Sequence, residues 1–117
     1  MVFEYTGESK FHSIPHLEGA AACVHFVDVF TSAKGSSNPL TGSMFFLEYT
    51  DTPEPAPKYD YDESGVVIKG ELHIKDETGK TASLQEGDSF FVHRGSTITF
   101  SSPRFAIAYK CAGRPSH

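Results

Sequence analysis

Tryptophan is absent from this chain, and cysteine occurs only twice in its 117 residues. Cys23 and Cys111 lie far apart and show no CxxC spacing, which excludes a disulfide framework and a cysteine-rich zinc site. A reduced, intracellular setting is the default expectation. No apolar run reaches the ~18 residues that a membrane span needs. The first residues do not set a basic segment before an apolar core, so a signal peptide is not expected, and the location read from the sequence is cytoplasmic. A net charge of −5 without a basic stripe argues against nucleic acid and anionic membranes as partners. Sustained helical periodicity is missing, which makes alternating strand–helix architectures poor candidates. There is no GxSxG elbow, no glycine-rich phosphate loop and no HExxH.

What the chain does have is phenylalanine, ten in all, with ten glycines and seven prolines to punctuate it. Short runs rich in β-branched and aromatic residues recur at 23–31, 43–50, 66–69, 71–75, 80–84, 89–93, 97–100 and 105–111. Eight such strands with turns every eight to twelve residues predict a closed or sandwiched antiparallel β fold. Asp76-Glu-Thr-Gly-Lys80 reads as a hairpin turn with Gly79 at positive φ. Pro53, Pro55 and Pro57 predict a stiff, extended loop. One helical turn is expected over 14–22, where Pro15 suits a first helical position and three alanines follow. No repeat and no boundary interrupts the chain, so residues 1–117 read as a single domain.

The stretch Glu48–Glu63 carries six acids against one base, Lys58. Most of that run is expected to face water. Its last member, Glu63, differs because it heads an otherwise buried-looking strand. Tyr-Asp-Glu at 61–63, Gly70-Glu-Leu-His-Ile, Gly87-Asp88 and Gly95-Ser-Thr-Ile-Thr-Phe100 together resemble the cupin superfamily, and within it the EutQ-like (ethanolamine-utilisation) cupins. The resemblance implies an all-β, jelly-roll barrel with at most a short N-terminal helical turn. It also implies a metal motif of two histidines, a glutamate and a third histidine. Here Glu63 and Gly70 fit the glutamate and the glycine that follows it. The two histidine places of the first motif fall on Pro57 and Tyr59. In the second motif Gly87 and Gly95 fit, His93 stands for the proline, and Ile98 stands for the third histidine. One carboxylate cannot hold a transition metal tightly, so no metal cofactor is expected beyond a weakly bound divalent ion.

Several side chains are candidates for the site. Glu63 shares strand parity with Tyr59, Tyr61, Gly65 and Val67; on an inward face its burial would raise its pKa toward neutral. Tyr61 and Tyr59 would place phenols beside it, Tyr61 as a catalytic partner and Tyr59 as a substrate contact. His25, in parity with Cys23 and Val27, could serve as a proton-transfer partner if that face is interior. Phe46 and Glu48 share a face on the second strand. Phe91, Ile98, Phe100 and Tyr109 are expected to line the pocket. His73, flanked by Leu72 and Ile74, is expected to point outward. His12 and His16 fall in an entry segment, and His117 is expected to be disordered.

The function expected from these features is binding of a small, largely apolar or aromatic metabolite in the barrel. Glu63 would drive a non-redox acid/base reaction such as isomerisation, cyclisation or elimination. Two alternatives stay open: a non-catalytic metabolite-binding module, and a metal-dependent enzyme whose ligands are Glu63, His25 and another residue. By family analogy the partner is a second copy of the chain, paired through a barrel edge.

Overall fold

The computed structural model describes residues 3–116; the expectation for His117 lies outside them. Eight antiparallel strands form two sheets: β1 (Val24–Thr31), β2 (Thr41–Glu48), β3 (Glu63–Gly70), β4 (Leu72–Lys75), β5 (Thr81–Leu84), β6 (Ser89–Val92), β7 (Thr99–Ser101) and β8 (Phe105–Ala112). The larger sheet runs β1-β2-β8-β3-β6 and the smaller runs β5-β4-β7. This is the antiparallel all-β fold expected from the strand spacing, in the jelly-roll form that the family resemblance implies. Each strand falls within a few residues of its expected place, although β3 starts earlier, at Glu63.

The two sheets enclose a core of Phe45, Leu47, Val67, Leu72, Ala106 and Ala108, with Phe26, Phe90 and Phe100 packed against it. Rings stand in for larger aliphatic packing: Phe45 and Phe100 lie 5.5 Å apart between centroids, and Phe90 and Phe100 lie 6.3 Å apart. Such tilted and edge-on pairs suit the charge distribution of aromatic rings. Two glycines of β3 permit close approaches around this core. A Cβ on Gly65 would overlap the Phe90 ring, and one on Gly70, which also sits at φ +83°, would overlap the Phe105 carbonyl. The hairpin between β4 and β5 closes as expected, with Gly79 at φ +90° and Asp76 accepting from the Thr78 and Lys80 amides.

The N-terminal region departs from expectation. Residues 14–22 are not helical; a 3₁₀ helix occupies Glu8–Ser13 instead. Gly19 takes φ +83° and ends a turn closed by the Ala20 amide on the Leu17 carbonyl. The segment before it runs along the outer edge of β1, where the Phe26 amide donates to the Pro15 carbonyl and the Leu17 amide to the Val24 carbonyl. Edge pairing satisfies more backbone groups than one isolated helical turn would. It also covers part of the edge that the sequence left open for a partner. The Pro-rich loop is extended as expected, and the Ala56 and Tyr59 amides tie it to the Ile98 and Ser96 carbonyls.

Candidate functional site within the barrel

Strand parity decides which side chains enter the barrel. On β3, Glu63, Gly65 and Val67 are buried, while Ser64 and Ile68 are exposed. On β8 the buried positions are Ala106, Ala108, Lys110 and Ala112. The large residues of that strand, Phe105, Ile107 and Tyr109, therefore face outward. On β2 the inner residues are Thr41, Ser43, Phe45 and Leu47, which contribute the core contacts and the inner polar bonds. Phe46 and Glu48 take the other face.

Glu63 is 2% exposed. Its Oε2 accepts a hydrogen bond from the Tyr59 hydroxyl at 3.1 Å and lies 3.6 Å from Lys110 Nζ. Lys110 is equally buried, and its ammonium sits 3.9 Å from the centroid of Phe45, 4.1 Å from that of Phe100 and 5.9 Å from that of Phe26. Ring faces attract a cation, so the aromatic walls replace part of the hydration that this group loses. Burial still pushes the Lys110 amine below the ordinary lysine range; the Glu63 carboxylate opposes that shift and the Arg114 charge adds to it.

A second ion pair lies in the same interior. Arg114 grips Asp28 with two bonds, Nη1 to Oδ2 at 3.1 Å and Nη2 to Oδ1 at 2.9 Å. The Ser43 hydroxyl donates to Asp28 Oδ1 at 2.7 Å, and the Thr41 hydroxyl donates to the Arg114 carbonyl at 2.6 Å. Although burial works against the Arg114 charge, the bonds to Asp28 outweigh it and hold its pKa above the usual value. Among the described residues, Arg114 Nε is the buried side-chain nitrogen without a hydrogen-bond acceptor. The guanidinium carbon lies 5.3 Å from the Tyr61 ring centroid, and the Tyr61 ring lies 5.2 Å from that of Tyr59. Burial, then the Glu63 charge, raises the pKa of both phenols, so both are neutral donors at pH 7. The interior thus holds two carboxylates, two cations and two phenols against a phenylalanine wall.

This set does not suit the metal site of metal-binding cupins. Of the places where that site has histidines, Tyr59 spends its hydroxyl on Glu63, and Ile98 packs with Val92 and Tyr59 in an apolar cluster. No group of three or more His, Cys, Asp or Glu that could hold a metal ion occurs among the described residues. The charge beside Glu63 is supplied by an ammonium instead.

The structure brings some of the sequence candidates together and scatters the others. Glu63, Tyr59, Tyr61, Ile98 and Phe100 come together in the barrel. His25, Phe46, Glu48, Phe91 and Tyr109 do not join them. His25 Nε2 pairs with Glu48 Oε2 at 2.8 Å, and its Nδ1 faces the Ile14 carbonyl at 3.2 Å. With Phe46 they line an outer groove of about 590 Å³, walled by Phe11 and Ile14 of the N-terminal segment. His25 therefore cannot hand a proton to Glu63, because the two open on opposite faces of the larger sheet. Phe91 is exposed, with its ring tilted against that of His93 at 4.8 Å between centroids, while the Tyr109 hydroxyl lies against Gly42. His73 points outward as expected and pairs with Glu71. The inner residues that sequence reasoning missed are Lys110, Arg114, Asp28 and Ser43. A signal for one of them existed: Lys110 continues the alternation of Ala106 and Ala108, the face of β8 with room to point at another sheet.

Comparison with known proteins fits this architecture. Residues 9–110 match the family described as "Ethanolamine utilisation protein EutQ". The protein named acetate kinase EutQ of Salmonella typhimurium is 35% identical over 81 residues, covering 69% of this chain and 33% of its own length. The chain thus spans about a third of the curated relatives it matches. A crystal structure of a putative ethanolamine utilization protein Q from Salmonella typhimurium LT2 is 28% identical, with a TM-score of 0.69 over 89% of this chain and 80% of that one. An RmlC-like cupin from Shewanella frigidimarina, 16% identical, shares the fold with a TM-score of 0.65 over 88% of this chain and 86% of that one. With the family match spanning most of the chain, this chain belongs to the EutQ family, and it shares the cupin fold.

Proposed function

We propose that this cupin binds a small, largely apolar metabolite in its barrel and catalyses a non-redox proton transfer on it, with Glu63 as the proton-carrying group. The observation that carries this reading is the shared Oε2 of Glu63, buried between the Tyr59 hydroxyl and the Lys110 ammonium. A carboxylate that accepts from a phenol and faces a cation keeps a fixed orientation, as a general base must. The phenylalanine walls suit an apolar substrate body, and the neutral phenols of Tyr59 and Tyr61 suit a substrate oxygen. Isomerisation and elimination need these parts and no more.

The test is proton exchange. Small aldehydes and ketones are incubated with the protein in D₂O, and deuterium entering next to the carbonyl is followed by NMR. Protein-dependent exchange should vanish in Glu63→Gln while the far-UV circular dichroism of the barrel persists. Undiminished exchange in that variant would refute the proposal. A second reading takes its reaction from the curated relatives, which are named acetate kinases. Lys110 and Arg114 are the inner cations that would favour an acyl phosphate. Acetate-dependent release of ADP from ATP–Mg²⁺ by this chain would favour that reading over the first.

A further inference from the structure

Lys110 has more chemistry than a counter-charge requires. Its Nζ stands 3.6 Å from Glu63 Oε2, so the carboxylate that balances the ammonium also lies within reach of its protons. The other inner residues of β8 are alanines, which leaves Lys110 as the long side chain of that face. Its tip is walled by Phe45, Phe100 and Phe26, whose ring faces replace only part of the hydration lost on burial, so the neutral, nucleophilic amine is easier to reach here than on an exposed lysine.

We propose that Lys110 is a nucleophilic amine that condenses with the carbonyl carbon of a small aldehyde or ketone to form an imine inside the barrel. This rests on, and deepens, the reading of the interior as a proton-transfer site. The Lys110 ammonium first gives a proton to Glu63. The free amine adds to the carbonyl carbon, and the carbonyl oxygen takes a proton from the new nitrogen, giving a carbinolamine. Glu63 then returns its proton to that hydroxyl, the C–O bond breaks, water leaves and the C=N bond forms. Ammonium plus carbonyl becomes iminium plus water, with no electrons exchanged and Glu63 again a carboxylate. The iminium draws electrons from the neighbouring carbon, whose proton Glu63 is placed to accept. The lowered pKa of Lys110 supports this role, since every unit of depression raises the neutral amine about tenfold at neutral pH.

The wild-type chain tests this directly. Propanal and sodium cyanoborohydride are added at neutral pH, and the propylated lysines are mapped by peptide mass spectrometry over time. Lys110 should be modified faster than the exposed Lys58 and Lys80, by about tenfold for each unit by which its pKa lies below theirs. A purely structural ion pair gives the reverse order, and Lys110 left unmodified while Lys58 and Lys80 react would overturn the proposal. Lys110→Arg, which keeps the charge, separates the two readings. If it retains Glu63-dependent deuterium exchange, the imine falls and the proton-transfer reading stands. Loss of exchange in the folded variant, with Lys110 labelled in the wild type, upholds the imine. Rapid labelling of Lys110 without any exchange supports the imine and removes the proton-transfer reading.

Discussion

Two acid–base pairs on opposite faces of one sheet invite comparison. His25 and Glu48 meet at 2.8 Å on the outside, with the Glu48 side chain 52% exposed. Glu63 and Lys110 meet at 3.6 Å on the inside, both almost fully buried. By distance alone the outer pair is the better one. Burial reverses the ranking, because water screens the outer pair while the inner pair has exchanged its hydration for one partner and a set of rings. The distance of an ion pair is therefore a poor guide to what its loss does, and the inner pair is where substitutions should matter.

Lys110→Met should have the largest effect. It leaves Glu63 buried without its cation, a change that typically costs about 3–5 kcal/mol. Urea unfolding followed by tryptophan-free probes, such as tyrosine fluorescence or circular dichroism, measures it. Combining it with Glu63→Leu should recover most of the loss, since an apolar pair of similar volume is often neutral in such sites. Failure of the double variant to recover would mean that Lys110 matters through packing and not through charge.

The same variant exposes a pH dependence with a definite sign. Burial lowers the folded-state pKa of Lys110 below 10.5, so the unfolded chain binds more protons there. Stability must then rise with pH across the window below 10.5 and be lost as pH falls toward and through the lowered value. Tyr59 and Tyr61, whose pKa values are raised, act with the opposite sign only above about 10. The stability difference between wild type and Lys110→Met should therefore grow as pH rises toward 10.5; a flat difference contradicts the burial argument. Tyr59→Phe removes one donor to Glu63 and leaves Lys110 in place, so about 1–2 kcal/mol is expected in the same unfolding assay.

How far the sequence revealed this comparison depends on parity. The β3 face was legible, because Glu63, Gly65 and Val67 alternate with Ser64, Val66 and Ile68, and the glycines placed the strand. On β1 and β2 both faces are apolar, as Val-His-Phe-Val-Asp-Val-Phe and Met-Phe-Phe-Leu show, so alternation could not choose the inner one. A wrong choice moves every side chain of a strand to the other side. That is why His25, and Phe46 with Glu48, are each expected inside the barrel and lie together on its outer face instead. On β8, Phe105, Ile107 and Tyr109 outweigh the alanines by size, yet the small face packs inward because Phe45 beside it on β2 and Phe100 of the facing sheet need the room. Arg114 follows the last strand and reaches Asp28 across 86 positions of sequence, a contact that no local pattern encodes.

The smallest effect should come from the outer pair, and its smallness is the sharpest check on the comparison. Glu48→Ala breaks a 2.8 Å contact, so an account based on distance makes it at least as costly as Lys110→Met. With Glu48 more than half exposed, water takes over the freed His25 nitrogen. The loss should be no more than about 1 kcal/mol and should shrink further in high salt. His25→Ala should cost somewhat more, because it also frees the Ile14 carbonyl and its ring packs on Phe46 at 5.1 Å. Neither variant should alter deuterium exchange at a barrel substrate or the labelling of Lys110. A Glu48→Ala loss as large as that of Lys110→Met would show that the outer groove, not the barrel, holds the more tightly coupled pair.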